Sequence, residues 1–335
     1  MTLEPGLVLA VGPNGAGKTN LLESLHVGTQ GFSPRTRSDA QLIRFGAQSA
    51  RIALSGSRSL SPLEISISLS TTEAKRATLN GAGLQAAEQL RREVETLVFT
   101  PDRLAIVKGG PAARRAYFDR ALGRLQPARA ALSAEYGGAV AQRNAALRRV
   151  AGGLSSRDAI APWTARVASL GAELVVAREE VLTLLRPRFV ERAAELGLAN
   201  ASLVYEGDTP SPERLDARLS RDLERGATSL GPHLDDIRIA ASERDLRNYG
   251  SQGEQRLTVL SLVLAEAELL ADQRGAPPLL LLDDVLSELD SDRRRTLVAQ
   301  VAKVGQTLVT ATQRSALPGE PAQLLEVSPG EVRVA

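Results

Sequence analysis

Residues 12–19 read Gly12, Pro13, Asn14, Gly15, Ala16, Gly17, Lys18, Thr19, which fits the spacing G-x-x-x-x-G-K-[ST]. Each residue type answers a demand of phosphate binding. Glycines tolerate left-handed backbone and let N–H groups close around phosphate oxygens. A helix that follows aims the positive end of its dipole at them. Lys18 offers a point charge to the β and γ phosphates, and Thr19 a hydroxyl to Mg2+. A second set of chemical groups lies at residues 279–284, LLLLDD, four aliphatics and then two acids. This reads as a buried strand delivering carboxylates to its C-terminal edge, where α/β sites form. Asp283 suits Mg2+, usually through water, and Asp284 suits the polarising of an attacking water. The two stretches predict a P-loop NTPase. They leave the purpose of hydrolysis open, because kinases and GTPases share them.

A third stretch, GSQGEQRL at 250–257, stands just ahead of an apolar run. Ser251 brings a hydroxyl, the glycines leave backbone N–H groups unobstructed, and a helix N-terminus follows, which makes a second anion cradle. Two such loops of one chain seldom reach the same phosphate. In a symmetric dimer each copy's cradle can close over the other's nucleotide. The plain alternative is an N-cap after a glycine turn.

The elements that must position these groups are legible in outline. LVLAV at 7–11 is a continuous apolar run, as in a buried parallel strand, and KTNLLESLHV from Lys18 has helical spacing. RIALSG and LEISISLS alternate as strands with one wet face, and Asn80-Gly81 signals a hairpin turn. LVFT at 97–100 is a further short strand, stopped by Pro101. From Pro111 to about Leu196 the chain is helical, broken at Gln126-Pro127, Gly152-Gly153 and Pro162, with a kink or boundary at Arg186-Pro187. Strands are expected near 202–206 and 236–241, a helix over 254–272, a helix over 291–303, the strand TLVTAT and a terminal hairpin in LLEVSPGEVRV.

At 335 residues the chain can hold one large core or a core with a subsidiary lobe. There is no cysteine, which excludes disulfides and thiolate metal sites, and two lone histidines, His26 and His233, argue against zinc. No segment approaches the roughly 18 apolar residues of a membrane span, and the reading is cytoplasmic. Net charge is +2, but residues 1–150 hold 20 Lys+Arg against 11 Asp+Glu, and residues 151–335 hold 21 against 28. A basic half suggests a polyanion partner, a solvated helical surface being the bland alternative.

In their order, GPNGAGKT, SQGEQ, LLLLDD and then SELD at 287–290, these motifs resemble the Walker A, signature, Walker B and following loop of ABC-type ATPase heads. Within those heads the chain is similar to the RecF family. LIRFG at 42–46, VFTPDRLAIVKGGPAARRAYFD at 98–119, TSLGPHLDD at 228–236, YGSQGEQR at 249–256 and PPLLLLDDVLSELD at 277–290 carry that likeness. It implies an α/β fold, a P-loop ABC-type ATPase head with a Rad50-like lobe I and an inserted, mainly helical lobe II. Residues 1–110 would form the first part of lobe I, 111–200 the helical lobe, and 201–335 the rest of the ATPase core.

By the same resemblance ATP and Mg2+ are the cofactors. ATP would lie on residues 12–19, with Lys18 and Asp284 catalytic and Thr19 and Asp283 serving the metal. Ser251, Gly253 and Gln255 would contact the γ-phosphate across an ATP-induced homodimer. The family is expected to hydrolyse ATP weakly and to bind single- and double-stranded DNA near their junctions. With the RecR and RecO mediators it is expected to help load RecA recombinase in gap repair and replication restart. Lys108, Arg114 and Arg115 are candidate DNA contacts.

Three departures from the family pattern stand out. Family members usually begin with two further strands, whereas six residues precede Leu7, so those strands are expected to be missing. Asp284 is shorter than the usual glutamate. Thr310 or Thr312 stands in the region of the transporter switch histidine. The region 100–102 is the best place for a Gln-loop equivalent. The alternative reading is an SMC/Rad50-like chromosome-organising head, although the broken helices of 111–196 supply no long coiled coil. A transporter subunit or a small-molecule P-loop kinase fits less well, the latter having no need of SQGEQ or SELD.

Overall fold

The structure, a computed structural model, describes residues 1–36, 38–58 and 61–335. In chain order it begins β1 (Leu7–Val11), α1 (Lys18–Gln30), β2 (Ser49–Arg58), β3 (Ser61–Ser70), β4 (Arg76–Leu79), β5 (Ala82–Gly83) and β6 (Thr96–Phe99). A mainly helical stretch follows: α2 (Ala105–Lys108), α3 (Pro111–Leu125), α4 (Leu132–Ala151), α5 (Ala161–Glu195), β7 (Ala201–Glu206), α6 (Pro212–Asp216), α7 (Leu219–Arg225), β8 (Asp236–Ala241), β9 (Arg244–Asp245), α8 (Leu246–Tyr249) and α9 (Gln252–Arg274). The chain closes with β10 (Leu279–Leu282), α10 (Ser291–Val301), β11 (Thr307–Ala311), β12 (Gln323–Ser328) and β13 (Glu331–Val334). It divides into two compact units, Met1–Arg103 with Leu270–Ala335, and Leu104–Leu269. Compactness thus groups residues 201–269 with the helices. The motif order instead groups them with the ATPase core.

The first unit is built on a six-stranded sheet in the order β13-β12-β1-β11-β10-β6. All of its pairings are parallel except the terminal β12–β13 hairpin. Central parallel strands are covered on both faces, which is why LVLAV and LLLL are unbroken apolar runs. Val8, Ala10, Leu22, Leu281, Leu308 and Leu325 form its core. A second, antiparallel sheet, β2-β3-β4-β5, alternates as the sequence predicts, with Ile65, Ile67 and Leu69 buried. These three pack with Val27 of α1 and with Ile43 and Leu90. Asn80 and Gly81 both have positive φ, 48° and 80°, as a two-residue hairpin turn requires.

The second unit packs α3, α4 and α5 with the antiparallel sheet β7-β8-β9. The boundary expected at Arg186-Pro187 does not occur, and α5 runs 35 residues through Pro187 to Glu195. Leu182, Leu185, Phe189 and Ala193 are buried on either side of it, whereas Pro187 is exposed. Burial of the flanking turns outweighs the one helical bond that Pro187 cannot make. Arg143 and Asp222, both with fully buried side chains, pair at 2.7 Å. Arg143 also donates to Thr164 and Thr228, while Asp222 accepts the Ser229 N–H. This ties α4, α5 and α7 to the loop that begins TSLGPH.

Because removal of one member of a buried pair strands the other, Asp222→Ala is expected to lower unfolding free energy by about 3–5 kcal/mol. Urea denaturation checks this, and a loss of less than about 1 kcal/mol would assign the pair no structural role.

Candidate functional site

The strand register brings the predicted groups to one edge of the sheet. Val11 pairs with Ala311 and Leu282 pairs with Val309, so the chain leaves β1, β10 and β11 at nearly the same level. Gly12 follows β1 at a point where a Cβ would lie 2.2 Å from the Val327 carbonyl oxygen, and only glycine fits. Gly17 caps α1 in the left-handed region at φ 104°. Ala16 is buried in the sheet core, anchoring the loop, while Pro13, Asn14 and Gly15 lie exposed at its rim. The first turn of α1 carries no acid to oppose an anion. Lys18 lies across the loop, its Nζ donating to the carbonyls of Gly12 at 2.7 Å and Pro13 at 3.0 Å. The loop bounds one side of a groove of about 800 Å³, whose other lining includes Gln313, Glu326, Ser328 and Arg333.

Thr19 and Asp283, 264 residues apart in sequence, are in contact. The Thr19 hydroxyl donates to Asp283 Oδ2 at 2.9 Å. Asp283 is 5% exposed and also accepts from the Thr310 hydroxyl at 2.7 Å. A carboxylate beside a hydroxyl, both hard oxygens, fits Mg2+, which takes one or two protein ligands and completes its shell with water and phosphate. Among the described residues there is no cluster of three or more His, Cys, Asp or Glu, so no all-protein metal cage competes with this arrangement. Asp284 follows with φ 48°, a left-handed conformation that few non-glycine residues adopt. Its N–H donates to Thr310 Oγ1 at 2.9 Å, and its Oδ2 accepts from Ser287 at 3.1 Å. Thr310, offered by sequence only as a stand-in for a histidine, thus touches both acids. Residues 100–102, at the end of β6, hold a buried Thr100 and an exposed Asp102.

The stretch GSQGEQRL belongs to the second unit. Ser251 precedes α9 and forms a reciprocal capping box with Glu254. The Glu254 N–H donates to Ser251 Oγ at 3.2 Å, and the Ser251 N–H donates to Glu254 Oε2 at 2.8 Å. The Ser251 N–H and the nearby Arg244 hold the Glu254 carboxyl below the usual carboxylate range. The pattern S-x-x-E that announces this box was present in the sequence. Ser251 is exposed, and a Cβ on Gly253 would meet nothing nearer than Ser251 Oγ at 3.9 Å. Nothing within the chain requires a glycine there, and its absent side chain leaves the helix start open.

Gln255 corrects the expectation that it reaches a γ-phosphate. It is buried, and its Nε2 donates to the carbonyls of Leu246 and Gly250, both at 3.1 Å. It braces the turn before α9 from inside, as its place one turn into the helix on the apolar face dictates.

Arg114 is a second correction. It is buried and forks onto Asp236 with two bonds of 2.6 Å, while its third nitrogen donates to the carbonyls of Val107 and Gly109. Its donors are spent inside the unit, so it presents none to DNA. Arg115 is half-buried, donates to the Asp235 carbonyl, and is held below the usual arginine value by burial and by Arg178. Lys108 is exposed at the end of α2.

A family model of the RecF/RecN/SMC N terminal domain matches residues 1–331. The DNA replication and repair protein RecF of Heliobacterium modesticaldum is 34% identical over 330 residues, spanning 94% of this chain and 89% of that protein. The protein of the same name from Frankia alni is 36% identical over 345 residues, spanning 96% and 91%. The solved structure of the recombination mediator protein RecF-ATP in the RecFOR pathway superimposes with a TM-score of 0.88 at 26% identity, over 100% of this chain and 93% of that one. An Smc head bound to the C-winged helix domain of ScpA shares the fold, with a TM-score of 0.60 at 18% identity over 98% and 90%. Fold and phosphate loop together define a P-loop ATPase head of the SMC type. The chain belongs to the RecF family.

For Asp236, burial raises the carboxyl pKa, but the bonds and charge of Arg114 outweigh it and leave the value lowered. The pair's contribution is therefore full above the unfolded value near 4 and fades as pH falls through the depressed one. Arg114→Met is expected to cost about 1.5–3 kcal/mol at pH 7. Denaturation of this variant beside Lys108→Met, which should be neutral, checks it, and equal stability of the two would refute the structural assignment.

Proposed function

We propose that this protein is an ATP-dependent, DNA-binding recombination mediator. It binds ATP on residues 12–19, dimerises when ATP is bound, and engages DNA where single strands meet duplex. With RecR and RecO it helps load RecA recombinase in gap repair and replication restart. ATP hydrolysis is slow and serves as a release switch, and the protein works in the cytoplasm. The observation that carries the reading is the Thr19–Asp283 contact beside a glycine loop and a helix start, within a chain of the RecF family. Its relatives are DNA replication and repair proteins, and one of the solved neighbours is an ATP complex of the RecFOR pathway.

In this reading Gly12 to Gly17 supply backbone N–H groups and Lys18 a cation to the phosphates. Mg2+, held by Thr19 and Asp283, would neutralise charge between phosphate oxygens. Asp284 orders the attacking water. Ser251 and Gly253 of one copy face the nucleotide of the other, Gln255 acting only behind them. Lys108 and Arg115 are the remaining candidates for DNA phosphates. An SMC/Rad50-like organiser would need a long coiled coil between the two halves of its head. Among the described residues the longest helix of the second unit, α5, has 35 residues.

Lys18→Ala is expected to weaken ATP binding by about tenfold or more, the scale of one lost charged contact. Ser251→Arg should keep ATP binding and lose the ATP-induced doubling of mass in light scattering. Normal dimerisation of Ser251→Arg would sink the role given to this stretch. Failure of the unaltered protein to bind ATP would sink the whole reading.

A further inference from the structure

Thr310 is fully buried in β11, between Val309 and Ala311, which are also buried. A hydroxyl in such a place is costly unless it is bonded, and both of its capacities are used. Its proton goes to Asp283 Oδ1 at 2.7 Å, and a lone pair takes the Asp284 N–H at 2.9 Å. The pairing of Leu282 with Val309 sets this up, since the next residues along, Asp283 and Thr310, then stand side by side. Asp283 consequently receives two hydroxyls, Thr310 on one oxygen and Thr19 on the other. Asp284 sits at φ 48°, a left-handed conformation that aspartate tolerates better than most side chains but at some cost, and the Thr310 bond anchors its peptide there.

We propose that Thr310 is a positioning residue for both acids of the site. One hydroxyl sets the orientation of the Asp283 carboxylate and holds Asp284 in its left-handed conformation. It acts through those residues and not on the nucleotide itself. The inference rests on residues 12–19 and 283–284 being a magnesium–nucleotide site. It goes beyond that reading by giving Thr310, which sequence offered only as a stand-in for a histidine, a role in positioning both acids.

The test uses the full chain with Thr310→Val, which keeps the shape and removes the hydroxyl, and Thr310→Ser, which restores it. Fluorescent ATP analogue is titrated with and without Mg2+, and hydrolysis is followed in parallel. Thr310→Val is expected to bind nucleotide normally without Mg2+, to lose about tenfold or more of the Mg2+ dependence, and to lower kcat at unchanged KM. Thr310→Ser should recover most of both. If Thr310→Val does not fold, Thr310→Cys, similar in size and a weak donor, takes its place. Wild-type Mg2+ dependence and kcat in the valine or cysteine variant would overturn the inference while leaving the nucleotide reading intact. So would a serine variant no better than valine, since size and not the hydroxyl would then matter. Equal ATP binding by wild type and Lys18→Ala would remove the site and the inference with it.

Discussion

Parallel pairing of β1, β11 and β10 is the constraint on which the site depends. Parallel neighbours leave the sheet at the same edge, so the residues following each strand converge without any further device. Gly12, Asp283 and Thr312 are such residues, and Thr310 lies one step inside. The register also decides which side chains touch. A slip of one residue between β10 and β11 would turn Thr310 away from Asp283 and place an aliphatic beside the carboxylate.

Arginine in this protein is used more for construction than its abundance suggests. Arg143, Arg114 and Arg178 are buried, and each pairs with a carboxylate, Asp222, Asp236 or Asp119, with further bonds to neutral oxygens. A planar guanidinium can satisfy several acceptors in fixed directions, which suits it to fasten loops to helices. The first two lie within the half that is basic by count. A charge balance taken from sequence therefore overstates the positive surface available to a polyanion.

The start of α9 is held by local bonds. Ser251 and Glu254 close a capping box, and Gln255 braces the preceding turn from within. Those bonds account for a serine, a glutamate and a glutamine at their positions. They do not account for Gly253, whose missing side chain nothing in the chain requires.

By itself the sequence determined the phosphate loop, the acid-bearing strand, the central strands and the longer helices, and the family. These are written in local patterns: glycine spacing, unbroken apolar runs, period-two alternation, and an Asn-Gly turn. It did not determine the path of α5 through Pro187, because burial of Leu185 and Phe189 is a tertiary gain that propensity does not see. Nor did it determine which polar side chains face outward. Arg114 and Lys108 look alike as letters, and only the position of Asp236, 122 residues from Arg114, separates a buried fork from an exposed cation. The same holds for Thr310. Sequence offers it only in the region of a switch histidine, and only pairing sets it beside Asp283, since hydrogen bonds between distant residues exist only once the register has been chosen.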